Sequence, residues 1–244
     1  MCGMNKKLLK KTIKKLFHLA GIKISLRGKN EVPEQNKLKW LSELKIKTVL
    51  DVGASKGNAA LYFHKLFPEA RIFSFEPLKD CFEIMTGKTK HLPNFKSFNI
   101  ALSDQAGSGT INRSSYSGSS SLREMADLHK VAFPYTAEQR EETVNIETLD
   151  NIMRSEKLEE DILVKMDVQG FEDKIILGGI ETIKRAKIIL IETSFKELYK
   201  GQPLFGEIFN LLSGLGFRYA GAPDGDLKNP LDGASLQQDS IFIK

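Results

Sequence analysis

The chain has 244 residues, 41% hydrophobic and 27% charged, with 19 Gly, 8 Pro and 2 Cys. That length supports one medium domain around a single large core, and the composition excludes a disordered, collagen-like or disulfide-stapled chain. The net charge of +5 conceals an asymmetry: residues 1–30 hold nine Lys or Arg and no acid, while the remainder carries 27 basic and 31 acidic side chains. A mildly acidic body does not support a nucleic-acid footprint.

The basic tail has a pattern. Leu8, Leu9, Ile13, Leu16, Phe17 and Ala20 recur at helical spacing, and Lys6, Lys7, Lys10, Lys11, Lys14 and Lys15 fill the gaps. This predicts a basic amphipathic helix. It is not a secretory signal, because lysines interrupt every apolar stretch. Its apolar face has two destinations, its own domain or the interface of an anionic membrane. Cys2 and Cys81 lie far apart and read as unpaired thiols of a reducing compartment. With no run of about 18 apolar residues to span a bilayer, the expected location is cytoplasmic, with peripheral contact on the inner face of the membrane. The expected organisation is a tail over residues 1–30 and a domain over residues 31–244.

From residue 45 strand and helix patterns alternate. Lys47–Val52 is apolar and β-branched, and a helix follows over Asn58–Leu66 with Asn58 near its N-cap. Arg71–Phe75 is a second strand, residues 78–86 a helix, and Phe95–Ile100 a third strand. Asp161–Val168 and Lys187–Thr193 are near-continuous apolar runs, as buried parallel strands require. Phe205–Leu215 is an amphipathic helix, and Phe217–Ala220 and Ser240–Ile243 are short terminal strands. Strands separated by helices imply a doubly wound, mostly parallel α/β sheet. Residues 107–147, with a Ser-rich run Ser114–Ser121 and a strand-like Thr143–Ile146, interrupt the pattern. They are expected to form an insertion over the carboxyl edge of the sheet, where ligands of such folds bind.

The chemistry begins at the end of the first strand. Asp51 precedes Gly53, Ala54, Ser55, Lys56, Gly57 and Asn58, a D-x-G-x-x-x-G loop opening a helix. The dinucleotide fingerprint G-x-G-x-x-G is absent. Asp51 would repel a pyrophosphate but suits S-adenosylmethionine, which carries a sulfonium, an ammonium and no phosphate. Glu76, followed by Pro77, ends the second strand 25 residues after Asp51, where a carboxylate can accept ribose hydroxyls. Ala101, Leu102, Ser103 and Asp104 follow the third strand and offer small side chains and free backbone to an adenine edge. In Lys165-Met166-Asp167, alternation puts two charges on one face of a central strand, and buried charges need partners. Glu192, ending the next strand, is the expected neighbour of Lys165. Glu172 stands in the first turn of the following helix, where a carboxylate also complements the dipole. His129 is the one histidine the pattern brings near the sheet edge, and it is a candidate base. No Cys/His spacing reads as structural zinc; Mg²⁺ between Asp167 and Glu192 is the lesser alternative to a metal-free site.

Together LDVGASKGNAAL, FSFEP, NIALSD, SSSL, TLDNI, VKMDVQGFEDKIILGG, IILIETSF, LYKGQ and DSIFIK resemble the FkbM-type methyltransferases over roughly residues 45–244. The resemblance implies a seven-stranded Rossmann-like sheet and S-adenosylmethionine-dependent O-methylation of a sugar, glycan or natural-product hydroxyl. It assigns Asp51, Gly53, Ala54 and Gly57 to the methionine side, Glu76 to the ribose and Ala101 to Asp104 to the adenine. Asp167 and Glu172 match the acidic signature after the fourth strand. Many members have Glu where this chain has Gln169. The alternative function is a catalytically silent protein that keeps the fold for binding or assembly.

Overall fold

A computed structural model describes residues 39–223 and 225–244. The expected basic helix, with Cys2 and His18, lies outside the described residues. After a 3₁₀ turn at Lys39–Leu44 come β1 (Thr48–Val52), α1 (Asn58–Leu66), β2 (Arg71–Phe75), α2 (Lys79–Thr89) and β3 (Phe95–Phe98). Next are β4 (Ala101–Leu102), β5 (Gly107–Ser114), α3 (Asp127–Ala132), β6 (Gln139–Glu147) and α4 (Leu149–Arg154). The chain continues with β7 (Ile162–Met166), α5 (Glu172–Gly178), α6 (Ile180–Lys184) and β8 (Ala186–Ser194). It ends with α7 (Phe205–Gly214), β9 (Arg218–Gly221), β10 (Asp226–Lys228) and β11 (Ser235–Ile243).

The main sheet runs β3-β2-β1-β7-β8-β11, and β9 and β10 share the outer edge of β11. β3 to β8 are mutually parallel, while β11 is antiparallel to β8. This is the seven-position, mostly parallel sheet of the methyltransferase type. Its strands are apolar on both faces because both are covered. Leu50, Val52, Val164 and Ile189 pack with Ile175, Ile176 and Leu212 of α5 and α7. Val49, Leu163 and Ile188 pack with Ala60 and Phe63 of α1. The chain leaves β1 towards β2 and β3, then returns on its other side as β7 and β8. The crevice at the carboxyl ends of β1 and β7 is therefore the switch point where open α/β sheets bind ligands.

Residues 107–147 contain structure of their own. β5 and β6 form an antiparallel ladder from Gly107↔Ile146 to Ser114↔Gln139, and β4 joins β6 in parallel. The strand expected at Thr143–Ile146 is part of the longer β6. Other ends differ from expectation: α2 runs on to Thr89 and β7 stops at Met166. β3 stops at Phe98 because Asn99 turns its amide to the carbonyls of Glu76 and Pro77, at 2.9 and 3.0 Å. β11 starts at Ser235, five residues before the expected Ser240. Its polar Gln237 and Gln238 hide the strand pattern, yet they pair with Ser194 and Thr193 of β8.

Candidate active site

The loop after β1 is shaped by two close approaches. A Cβ on Gly53, whose φ is 76°, would lie 1.9 Å from the Asp167 carbonyl oxygen. A Cβ on Gly57, φ 78°, would meet Met85 Cγ of α2 at 2.9 Å. The first glycine lets the loop cross the end of β7; the second lets α1 start against α2. Gly57 occupies the N-cap itself. Asn58 is the first helical residue and its Oδ1 accepts from Lys88 at 2.9 Å.

Glu76 ties this loop to the end of β2. Its Oε2 accepts from the Ser55 amide at 2.8 Å and its Oε1 from the Leu78 amide at 2.9 Å. Burial pushes its carboxyl up to about 7, against the pull of those two amides.

Asp51 and Lys165 are neighbours in the β1–β7 register. The Lys165 ammonium donates to the Gly53 carbonyl at 3.0 Å and lies 3.6 Å from Asp51 Oδ1 and from Asp167 Oδ2. Burial opposes its charge, but Asp167, Asp51 and Glu192 together hold its pKa above the usual lysine value. Asp51 is fully buried, and burial raises its carboxyl although Lys165 and Ser74 pull the other way. Its Oδ1 has no hydrogen-bond partner.

Gln169 stands at the centre of the second half of the site. It follows β7 in the left-handed region, φ 60°, with Gly170 at φ 90°. Its Nε2 donates to Asp167 Oδ1 at 2.9 Å and to Glu192 Oε2 at 2.8 Å. Its Oε1 accepts from the Tyr199 hydroxyl at 2.7 Å, and its backbone carbonyl accepts from the Ser121 hydroxyl at 2.7 Å. Glu192 also accepts from Gln237 at 2.6 Å. Burial, then the charges of Asp167 and Glu172, raise Glu192 well above the ordinary glutamate value. The expected Glu192–Lys165 pairing gives way to these amide contacts, because Gln169 and Gln237 reach both Glu192 oxygens first. The Asp167–Glu192 pair offered for Mg²⁺ is likewise bridged by Gln169.

Glu172 faces inward at the start of α5. Its Oε1 accepts from the amides of Val168 and Gly170, at 3.2 and 3.3 Å, so it braces the turn that carries Gln169. Burial pushes it up to about 7. His129 does not reach the site. Its ring is buried edge-on to Phe133 and Tyr199, centroids 5.4 and 5.1 Å away, with Nδ1 unpartnered. Burial lowers its pKa to about 4. Its expected place beside the sheet edge is corrected: it is a neutral ring in the core under α3.

These elements surround a cleft of about 670 Å³, open solvent included. Of the residues expected there, Gly53, Ser55, Glu76, Pro77, Ala101, Leu102 and Asp167 line it. Asp51, Ala54, Gly57, Asn58 and Ser103 do not, nor do Lys165 and Glu172; they support it from behind. Ser103 donates its amide to the Glu147 carbonyl at 3.0 Å, tying β4 to β6. Sequence reasoning named none of the apolar wall of Leu78, Ile100 and Leu122; the polar wall of Ser117, Ser120 and Ser121 comes from the insertion expected over the carboxyl edge, without those serines being singled out. The only advance signal for the latter was the Ser-rich run itself.

The cleft fits S-adenosylmethionine by its own chemistry. Glu76 offers a carboxylate to vicinal hydroxyls, the Leu78–Ile100–Leu122 wall suits a flat base, and Asp167, one of two carboxylates around the single Lys165 ammonium, favours a cation.

Residues 51–219 match the Methyltransferase FkbM domain. The chain is 31% identical to 2-O-methyltransferase NoeI of Sinorhizobium fredii (strain NBRC 101917 / NGR234) over 171 residues, 67% of this chain and 70% of that protein. Methyltransferase FkbM from Methylobacillus flagellatus KT is similar at TM-score 0.45 and 11% identity; 82% of this chain is covered, but only 44% of that one. A TehB-like SAM-dependent methyltransferase from Corynebacterium glutamicum ATCC 13032 Kitasato matches at TM-score 0.44 and 14% identity over 98% of this chain and 100% of that one. The family match begins at Asp51 and ends at Tyr219 in β9, so it takes in every wall of the cleft, and the chain belongs to the FkbM methyltransferase family of S-adenosylmethionine-dependent enzymes.

Proposed function

We propose that this chain methylates a hydroxyl of a sugar-like acceptor, and that Asp167 orients and deprotonates that hydroxyl. The observation that carries the reading is an open carboxylate on a fixed support. Asp167 lines the cleft with its side chain 41% exposed, while Gln169 holds one oxygen at 2.9 Å and Lys165 lies 3.6 Å from the other. Bound S-adenosylmethionine supplies an electrophilic methyl carbon on a sulfonium centre. Glu76 accepts the ribose hydroxyls; its contacts to Ser55 and Leu78 set its orientation before the ligand arrives. Leu78, Ile100 and Leu122 exclude water from the base. Ser117 and Ser120 present hydroxyls to a polyhydroxylated acceptor, while Ser121, buried and bound to the Gln169 carbonyl, holds that wall in place. The 31% identical relative, named a 2-O-methyltransferase, supports oxygen as the methyl-accepting atom.

Two levers operate in such a site. Holding the hydroxyl in line with the methyl carbon is worth up to ~7–11 kcal/mol. A positioned base adds typically ~10²–10⁴-fold. Asp167→Asn keeps the shape and removes the base, so turnover falls ~10²-fold with folding intact, whereas His129→Phe keeps the parent rate. The assay incubates the purified chain and labelled cofactor with glycan and lipid fractions from cells lacking the gene, and reads the gain of one CH₂ by mass spectrometry. Parent-level turnover by Asp167→Asn removes this acid from the chemistry. Loss of activity in excess EDTA moves the deprotonation to a metal held by Asp167 and Glu192. Cofactor binding with no fraction methylated favours the silent binding protein.

A further inference from the structure

A second concave surface lies behind the serine-rich wall of the cleft. It is a groove of about 490 Å³ lined by Arg113, Ser114, Ser115, Glu138, Gln139 and Arg140 at the open end of the β5–β6 ladder. The loop Ser114–Ser121 is common to both cavities: Ser114 and Ser115 line the groove, and Ser117 and Gly118 line the cleft. The Ser114 amide donates to the Ser120 hydroxyl at 3.1 Å, which stitches the two faces of this wall together.

Two exposed tyrosines mark the boundary. Tyr116 and Tyr135 are 57% and 67% exposed, with ring centroids 5.9 Å apart at 81°. A Cβ on Gly118 would lie 2.9 Å from the Tyr116 ring, so that ring rests directly on a residue of the cleft. Tyr135 is anchored beside the groove, where its carbonyl accepts from the Ser115 hydroxyl at 2.9 Å. Aromatic side chains as exposed as these contribute little to the core, and paired ones mark binding surfaces.

The polar groups of the groove specify what fits. Arg113 pairs with Asp80 at 2.6 Å and Glu142 at 3.2 Å, and Arg140 pairs with Glu142 at 2.8 Å. Asp80 and Glu142 thus match the two guanidinium charges at the surface, and Glu138 leaves the rim slightly negative. An anionic ligand gains nothing there. Gln139 lines the groove with the two arginines and adds an uncharged amide side chain to it. Aromatic faces for C–H surfaces, and neutralised donors and acceptors for hydroxyls, are what a neutral saccharide needs.

We propose that the Tyr116–Tyr135 surface and this groove form a second saccharide subsite, which holds the neighbouring sugars of an acceptor whose reacting residue lies in the cleft beside Asp167. The inference rests on the sugar-acceptor reading above and extends it from a single sugar to a neutral oligosaccharide.

The test compares the full chain with its Tyr116→Ala, Tyr135→Ala and Tyr116→Phe variants. Neutral mono-, tri- and pentasaccharides of glucose, mannose and N-acetylglucosamine are titrated in the presence of S-adenosylhomocysteine and followed by NMR. The expected result is that the pentasaccharide of one series binds the parent more tightly than its monosaccharide. Each alanine variant loses roughly fivefold or more of that gain, Tyr116→Phe keeps it, and S-adenosylhomocysteine affinity is unchanged throughout. Chain-length-independent binding, or alanine variants that match the parent on the pentasaccharide, overturns the subsite and leaves the sugar reading standing. A parent that binds S-adenosylhomocysteine but no saccharide of any length overturns both. Preference for a sulfated oligosaccharide over its neutral counterpart overturns the charge argument and with it the proposal.

Discussion

Gln169 Nε2 bridges the carboxylates of Asp167 and Glu192, at 2.9 and 2.8 Å, on a backbone held in the left-handed region. An amide is the group that can do this: it gives one hydrogen to each acid and takes one from Tyr199. Gln169→Glu replaces both donors with a third carboxylate, beside Glu192, which burial and the Asp167 charge already raise. Like charges this close disfavour ionisation, and each lost bond to a charged group is worth about 1.5–3 kcal/mol. The variant is expected to unfold at lower temperature and to turn over at least tenfold more slowly, measured by calorimetry and initial rates. Parent-like behaviour in both would remove Gln169 as the support of Asp167.

Glu76 is expected to govern cofactor affinity. Glu76→Ala removes charge-assisted bonds to the ribose, each worth roughly 1.5–3 kcal/mol, so S-adenosylhomocysteine affinity falls at least about tenfold. In the parent, burial holds this carboxyl at about 7. The carboxylate is the stronger acceptor, so affinity rises as pH passes upward through about 7. Isothermal titration across that window checks both statements; a flat profile, or tight binding by Glu76→Ala, contradicts them.

Glu172 makes stability depend on pH. Its folded pKa is about 7 against a usual 4.5, so the folded chain binds the proton more tightly than the unfolded one. The stabilisation is fully present below about 4.5 and is lost as pH rises through about 7. Glu172→Gln keeps an oxygen for the Val168 and Gly170 amides and removes the titration. Thermal unfolding is expected to rise for this variant near pH 8 relative to the parent and to differ little near pH 5. Equal shifts at both pH values would refute the assignment.

The basic tail is testable apart from the domain. Co-sedimentation with anionic vesicles, and much less with neutral ones, is expected on the scale of ~1 kcal/mol per basic residue at the surface. Replacing Lys10, Lys11, Lys14 and Lys15 with Gln should release the protein and leave its thermal stability unchanged. A parent indifferent to vesicles, with a destabilised variant, assigns the tail to packing on its own domain.

The sequence by itself determined the sheet and the first half of the site. The apolar runs at Val49–Leu50, Ile162–Val164 and Ile188–Ile191 are legible because strands buried on both faces must be near-continuously apolar. Gly53 and Gly57 are legible because the tight turn from strand to helix takes left-handed backbone, φ 76° and 78°, which favours glycine. Both demands are local, written in a residue and its chain neighbours. Only the tertiary structure decided which side chains meet. Gln169 is bound by Tyr199, Glu192 and Ser121, which lie 30, 23 and 48 positions away. Lys165 reaches Asp51 and the Gly53 carbonyl across β1, not Glu192. His129 is expected at the sheet edge because it lies in the insertion, but α3 turns its ring into the core against Tyr199. Periodicity records which face a residue occupies. It carries no record of a partner brought alongside by another strand or by the β5–β6 connection, and the polar contacts of the site are made with such partners.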